Sequence, residues 1–103
     1  MYVHAAPLEP PDNVTWIATH PGQVTFDWNP VAHKCLGVYY NIIASNCGSC
    51  PTATTNTTIT CTDVPTDGYM CTLVLQTVVC VNITGRKSDP VYVQQKGIVF
   101  FNC

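Results

Sequence analysis

The chain is poor in charged residues. Only 10% of its 103 residues are Asp, Glu, Lys or Arg, and four basic side chains against six acidic ones give a formal net charge of −2. The adjacent basic pair Arg86-Lys87 falls far short of the cluster of cations that binds a phosphate backbone. Nucleic acid is therefore not an expected partner.

Long apolar runs and a recognisable leader are also missing. No segment approaches the roughly 20 consecutive apolar residues of a membrane-spanning helix, so no membrane span is expected within this chain. The opening residues MYVHAAP have neither the basic start nor the apolar stretch of a signal peptide. If the protein is secreted, we expect this sequence to be an excerpt from a longer one.

The sequence contains none of the common motifs of an enzyme active site. There is no G-x-S-x-G, no H-E-x-x-H and no glycine loop that could cradle a phosphate. The acidic residues are scattered, and His4, His20 and His33 form no i,i+4 pair. We therefore predict a protein that is not an enzyme and has no cofactor and no bound metal.

Cysteine, in contrast, is abundant. Seven cysteines in so short a chain of low charge are typical of a disulfide framework made in an oxidising compartment. Three N-x-[ST] sequons begin at Asn13, Asn56 and Asn82, and each is an acceptor for an N-linked glycan on a secretory route. We expect an extracellular protein or the ectodomain of a membrane protein.

Short β-prone runs, separated by turn residues, occupy most of the chain. They predict seven strands, at 13–19, 23–28, 37–44, within 45–58, 58–64, 69–82 and 90–95. No 3.6-residue periodicity indicates a helix. This pattern favours an all-β fold of two packed antiparallel sheets.

The prolines define the edges of the predicted domain. Pro7, Pro10 and Pro11 mark residues 1–12 as an extended linker. The domain then covers residues 13–95, and residues 96–103 form a tail of unclear origin. Trp16 and Trp28 are both expected in the core of this domain.

The order of several landmarks resembles the fibronectin type III family. These landmarks are Asn13-Val14-Thr15 after a linker proline, Phe26-Asp27-Trp28-Asn29-Pro30, Tyr40-Asn41-Ile42, Val64-Pro65, and Val79-Cys80-Val81-Asn82 leading through Gly85 to Ser88-Asp89-Pro90-Val91. The resemblance implies a seven-stranded, immunoglobulin-like sandwich. The chain departs from the family in its cysteines, which most members lack, and in the corner tyrosine of the sixth strand, for which Tyr69 is the nearest candidate. It resembles a cysteine-rich variant.

The fold implied by this resemblance restricts the pairing of the cysteines. Its third and sixth strands are antiparallel neighbours, and bridged Cα atoms must lie within about 7 Å of each other. The pairs compatible with these conditions are Cys35 with Cys80, Cys47 with Cys71, and Cys50 with Cys61. An exchange of partners between Cys47 and Cys50 is nearly as compatible, because only two residues separate them. Cys103 is the odd cysteine, and we expect one free thiol.

Two segments are candidates for a binding function. Cys47-Gly48-Ser49-Cys50 is a C-x-x-C that could form a redox dithiol or, with Cys61 and Cys71, a zinc site. Gly85, Arg86 and Lys87 lie in a predicted loop after the sixth strand, where a basic turn could contact an acidic partner. The favoured interpretation of this loop is a solvated turn with a glycan on Asn82.

The sequence thus predicts a structural or protein-interaction module, such as a spacer or a unit of a receptor or adhesion ectodomain. Its expected partners are neighbouring domains or an extracellular protein ligand. The alternative function is that of a cysteine-based zinc-binding or redox domain.

Overall fold

The computed structural model describes residues 8–32, 37–80 and 83–96. Within these ranges the regular secondary structure consists of β-strands, without a helix. The strands are β1 (Thr15–His20), β2 (Gln23–Asp27), β3 (Tyr39–Ser45), β4 (Ala53–Thr54), β5 (Thr58–Cys61), β6 (Asp67–Val79), β7 (Ile83–Lys87) and β8 (Val91–Lys96). A search of these residues for a helix long and apolar enough to cross a membrane finds none.

The strands form two antiparallel sheets. The first sheet has the order β1-β2-β5, and the second has the order β4-β3-β6-β7, with β8 also paired to β6. β7 pairs with the last residues of β6, as in Val79 with Ile83, and β8 pairs with its earlier part, as in Leu73 with Val91. β7 and β8 are therefore two halves of one edge strand.

A bulge separates these two halves. Three residues lie between Lys87 and Val91, whereas two lie between their partners on β6, Gln76 and Leu73. Ser88 fills the irregular position: its N–H donates to the carbonyl of Leu75 at 2.8 Å, and its Oγ accepts the N–H of Leu75 at 2.8 Å. A side-chain oxygen thus replaces the backbone acceptor that the bulge removes from the ladder.

The core lies between the two sheets. In β2 and β5 alternate side chains are buried, and they meet the buried side chains of β3, β6 and β8 in one cluster. The main contributors are Val24, Phe26, Ile59 and Cys61 from the first sheet, and Tyr40, Ile42, Cys71, Leu73, Leu75 and Val93 from the second. The predicted all-β fold of two antiparallel sheets is confirmed, with eight strands instead of seven.

The two tryptophans differ in burial. Trp28 is 4% exposed, as predicted, and its ring meets that of Tyr40 edge-to-face with the centroids 5.6 Å apart. The expectation that Trp16 lies in the core is wrong, because it is 41% exposed. Trp16 is the partner of Phe26 in the ladder, but β1 is an edge strand with a neighbour on one side only, which leaves the large indole half uncovered.

The segment predicted as a loop at 83–89 is a strand for most of its length. Ile83–Lys87 pairs with β6 as β7. Glycine and charged residues are typical of a turn, yet an exposed edge strand accommodates both. Alternation of side chains is weak there, since most of β7 is exposed.

Residues 8–12, predicted as linker, pack against the domain, and we call them the N-terminal strap. At one end the carbonyl of Leu8 accepts the N–H of Arg86 at 3.3 Å. At the other end the carbonyl of Asp12 accepts the N–H of Asn29 at 3.1 Å. The strap therefore crosses from the second sheet to the end of β2 in the first. The predicted linker residues 1–7 and, beyond Lys96, the predicted tail lie outside the described residues.

Candidate functional site

The C-x-x-C segment joins the two sheets at one end of the sandwich. Cys47 is disulfide-bonded to Cys71 on β6, with the Cα atoms 4.7 Å apart. Cys50 is disulfide-bonded to Cys61 on β5, with the Cα atoms 4.4 Å apart. Because β6 belongs to the second sheet and β5 to the first, four consecutive residues are linked covalently to both. We call residues 47–50 and their two bridges the cysteine clip.

The backbone of the cysteine clip is fixed as closely as its sulfurs. Ser49 and Thr62 exchange two hydrogen bonds, with N···O distances of 2.7 and 2.9 Å. Gly48 has a φ of +70°, and a Cβ atom there would lie 2.2 Å from the carbonyl oxygen of Thr62 and 2.4 Å from that of Asp63. Glycine is required at this position for two reasons, since the backbone conformation is left-handed and a neighbouring chain fills the space of a side chain.

This arrangement decides what chemistry the clip supports. Cys61 and Cys71 are fully buried and Cys47 is 2% exposed. Cys47 and Cys50 are bonded to other cysteines and not to each other, so neither a dithiol nor a thiolate ligand is available in this state. Among the described residues no group of three or more His, Cys, Asp or Glu side chains is placed to hold a metal ion.

The remaining cysteines lie at or beyond the limits of the described chain. Cys80, directly after β6, is disulfide-bonded and has a φ of +52°. Its predicted partner Cys35 and the predicted odd cysteine Cys103 both lie outside the described residues. Cys80 is at the end of β6 opposite to the cysteine clip, so disulfide bonds are found at both ends of this long strand.

A groove of about 470 Å³ lies between the N-terminal strap and the bulge that joins β7 to β8. It is lined by residues 9–14, Arg86 and residues 88–91. Three carboxylates, those of Glu9, Asp12 and Asp89, and the guanidinium of Arg86 are among the lining groups. The hydroxyl of Ser88 also lies there, but it is already engaged with the backbone of β6. The groove therefore contains charged side chains, but the hydroxyl of Ser88 is not placed as an activated nucleophile.

Arg86 is bound by the strap. Its guanidinium forms an ion pair with Glu9, and the side-chain hydrogen bond and charge of that carboxylate raise the pKa of Arg86. Both side chains are more than half exposed, at 66% and 56%, so solvent screens the pair and it adds little to stability. The main effect of the pair is that the guanidinium of Arg86 has the carboxylate of Glu9 as its partner.

Gly85 allows the strap to approach β7. A Cβ atom at this position would lie 2.5 Å from the carbonyl oxygen of Leu8. The carbonyl of Gly85 is used as well, since it accepts a hydrogen bond of 2.9 Å from Nε2 of Gln76. Below the strap, the buried hydroxyl of Thr77 donates to the carbonyl of Glu9 at 3.0 Å.

The predicted loop of Gly85, Arg86 and Lys87 is thus part of a strand, and its contact with an acidic partner stays a prediction. Gly85, Arg86 and Lys87 lie on strand β7, and of the two cations Arg86 is paired with Glu9. Lys87 lies on the exposed edge, opposite Gln76 in the ladder. The strap could not be predicted from the sequence, because it lies far from β7 along the chain. The one signal of a close backbone approach was Gly85, a glycine next to two charged residues.

The sequons lie at strand boundaries. Asn13 is exposed, has a φ of +59° and precedes β1. Asn56 is exposed in the bend between β4 and β5, where its N–H donates to the Oγ1 of Thr54 at 3.0 Å. Asn82 lies outside the described residues, directly before β7.

Comparison of the chain with protein-family models, curated proteins and solved structures gives no match. Its function is therefore argued from the geometry and chemistry described above.

Proposed function

We propose that the chain is an extracellular β-sandwich module of the fibronectin type III type, with a structural or protein-interaction function and no catalytic activity. It acts as a spacer or as a unit of a receptor or adhesion ectodomain. The observation that carries this proposal is the cysteine clip, which holds the two sheets in one arrangement by two disulfide bonds. Such bonds persist in oxidising compartments and are rare in the cytosol.

The position of the fourth strand supports the fold type. In constant-type immunoglobulin domains the fourth strand lies in the sheet of the first, second and fifth strands. Here β4 pairs with β3 in the other sheet, through Tyr40 with Thr54. Trp28, buried directly after β2, agrees with the core tryptophan that the resemblance implies.

The corner before the sixth strand departs from the family. Tyr69 is 63% exposed, so it does not act as a buried corner tyrosine. Val64 is buried there instead, and its N–H donates to the carbonyl of Gly22 at 2.9 Å. Together with the cysteine clip, this bond holds the corner against the turn between β1 and β2.

The direction of the first and last strands supports a spacer. β1 starts beside the end of β2, where Thr15 pairs with Asp27, and β8 ends beside the start of β6, where Lys96 pairs with Asp67. These points lie at opposite ends of the sandwich. With a rise of about 3.3 Å per residue, the 13 residues of β6 span roughly 40 Å. A module of this form holds apart any segments attached at its two ends.

The alternative function requires reduced cysteines. A zinc site or a redox dithiol would need thiolates at Cys47 and Cys50, and both sulfurs are in bridges to β6 and β5. No observation among the described residues favours this alternative over the structural module.

Counting thiols tests the proposal. The chain is secreted from eukaryotic cells behind an added signal peptide, denatured without reductant, and its free thiols are counted by alkylation and mass spectrometry. We expect one free thiol, and none in the Cys103→Ser variant. Peptide mapping of the same sample is expected to recover Cys47–Cys71, Cys50–Cys61 and Cys35–Cys80. Four or more free thiols, or zinc bound at equimolar amount by the purified protein, would favour the cysteine-based alternative.

A further inference from the structure

Two of the three sequons stand side by side in the first sheet. Asn13 precedes β1 and Asn56 precedes β5, and both side chains are exposed. Asp27 on the central strand β2 pairs with Thr15 on one side and with Thr58 on the other. These threonines are the third residues of the two sequons. The two acceptor triplets therefore lie at the same level of the sheet.

The strand directions bring the two asparagines to the same end. β1 and β5 are each antiparallel to β2, so they run parallel to each other. Each asparagine lies two residues before its threonine and thus beyond the same end of the sheet. Neighbouring strands are about 4.8 Å apart, which places β1 and β5 roughly 10 Å from each other. An N-linked glycan is bulky enough to reach across this separation.

The backbone next to both asparagines is anchored to the same dipeptide. The N–H of Trp28 donates to the carbonyl of Thr57 at 3.0 Å, and the N–H of Asn29 donates to the carbonyl of Asp12 at 3.1 Å. Thr57 is the residue after one acceptor asparagine, and Asp12 is the residue before the other. Consecutive amides at the end of β2 therefore fix the spacing of the two sites.

The outer face of the first sheet is rich in threonine. Val24 and Phe26 point inward, as do Ile59 and Cys61, so the alternate residues form the outer face. These residues are Thr15, Ile17, Gln23, Thr25, Asp27, Thr58 and Thr60. Four are threonines, and the hydroxyls of Thr25 and Thr60 are 3.1 Å apart. The apolar side chain of this set, Ile17, is 56% exposed.

We propose that Asn13 and Asn56 are both N-glycosylated and that their two glycans are neighbours at the end of the first sheet where β1 and β5 begin. This inference rests on the proposed extracellular function, since the modification requires the secretory route. The co-reactant is a lipid-diphosphate-linked oligosaccharide. The amide nitrogen of the asparagine forms a bond to C1 of the first sugar, and the bond from C1 to the diphosphate oxygen breaks. The lipid diphosphate leaves, and the amide nitrogen loses one proton, which balances the new charge on the diphosphate.

The first part of the test maps the modified sites. The chain is secreted from eukaryotic cells, its glycans are released by an amidase in ¹⁸O-labelled water, and the peptides are analysed by mass spectrometry. We expect labelled aspartate at positions 13 and 56. If either site is unmodified in secreted protein that has the expected single free thiol, the inference is overturned while the proposed function stands. Four or more free thiols would instead reject the proposed function.

The second part tests whether the two glycans are neighbours. Thr15→Val and Thr58→Val each remove one sequon while keeping the asparagine and a β-branched strand residue. Loss of one glycan is expected to shift the other towards more fully processed forms, because a neighbour roughly 10 Å away hinders the processing enzymes. Thr25→Val, on the same face but outside any sequon, is the matched control and is expected to change neither profile. Unchanged profiles in both sequon variants would overturn the shared location.

If a variant is not secreted, the same question is answered with the wild-type protein. Partial enzymatic release of glycans from the folded protein is followed at both sites with time. Removal at one site is expected to accelerate removal at the other within the same molecule. Independent release at Asn13 and Asn56 would contradict the proposal. Thr15→Ser keeps the sequon and is expected to keep the glycan.

Discussion

The cysteine clip and the N-terminal strap both connect the two sheets, but with bonds of very different strength. The clip uses two disulfide bonds within four residues. The strap uses backbone carbonyls, which accept hydrogen bonds from Arg86, Thr77 and Asn29, and an exposed ion pair. One connection survives until the protein is reduced, whereas the other opens whenever a few hydrogen bonds break.

The two connections share one requirement, which is a glycine facing a backbone carbonyl. A Cβ atom at Gly48 would lie 2.2 Å from the oxygen of Thr62, and one at Gly85 would lie 2.5 Å from that of Leu8. In both places a segment crosses from one sheet to the other at van der Waals distance. The backbones approach closely at both crossings, and disulfide bonds secure one crossing while hydrogen bonds secure the other.

The largest expected effect is the removal of one bridge of the clip. Replacing Cys47 and Cys71 together by serine opens a loop closed over a sequence separation of 24 residues. We expect the free energy of unfolding to fall by about 3 kcal/mol, chiefly because the unfolded chain gains entropy. Denaturant titration measures this change, with Cys103→Ser as the control that leaves the midpoint in place. A loss below about 1 kcal/mol would show that the clip does not dominate.

The next effect is expected from Gly48→Ala. Both the positive φ and the contacts with the carbonyls of Thr62 and Asp63 oppose a side chain there. We expect a loss of about 2–3 kcal/mol. Gly37→Ala is the matched control, because Gly37 has a similar φ of +78° but no atom within 4 Å of the added Cβ. Equal losses in the two variants would mean that backbone strain alone matters and that the close approach does not.

A smaller effect is expected from Gly85→Ala, which pushes the strap away from β7. The change should cost about 1–2 kcal/mol, comparable to one or two hydrogen bonds of the strap. A second variant that lacks residues 1–12 separates strain from contact. In that shortened chain Gly85→Ala should cost nothing, so a double-mutant cycle in thermal unfolding should show coupling. Additive losses would place the clash somewhere other than the strap.

The smallest effect is expected from the ion pair between Glu9 and Arg86. Both side chains are largely exposed, so Glu9→Gln should leave the unfolding midpoint unchanged within error. The pKa of Arg86 is raised in the folded protein, so the contribution of the pair is fully present below the ordinary pKa of an arginine and is lost only as the pH rises through the raised pKa. Titration from neutral to mildly alkaline pH should accordingly show no transition from this group. A clear shift of the midpoint in Glu9→Gln would mean that the pair is a main anchor of the strap.

The strands with a regular apolar pattern could be predicted from the sequence. Alternating apolar residues in β2 and β3, the long apolar run of β6 and the turn residues between strands were enough to predict two antiparallel sheets with Trp28 in the core. The antiparallel relation of the third and sixth strands favoured Cys47 with Cys71, which is the bridge in the structure. The sequence could not decide which of Cys47 and Cys50 is bonded to Cys71, because the two cysteines lie in one turn. Only the folded backbone shows towards which sheet each side chain points.

The features that escaped sequence reasoning lie at edges. β7 has the sequence of a loop because an exposed edge strand needs little alternation. Trp16 was expected in the core because it is large and apolar, but on an edge strand its indole is only partly covered. The strap joins Glu9 to Arg86 across most of the chain length. Pairing at that separation has no local signal in the sequence.

The strap also occupies part of an exposed sheet edge. An edge strand with unpaired N–H and C=O groups is a template on which a second chain can add a strand. On the edge formed by β7 and β8, the N–H of Arg86 is already bonded to Leu8, and Pro90 in the bulge has no N–H to offer. The edge is thus interrupted at two nearby points. We expect these two interruptions to hinder a second copy of the chain from adding a strand along this side.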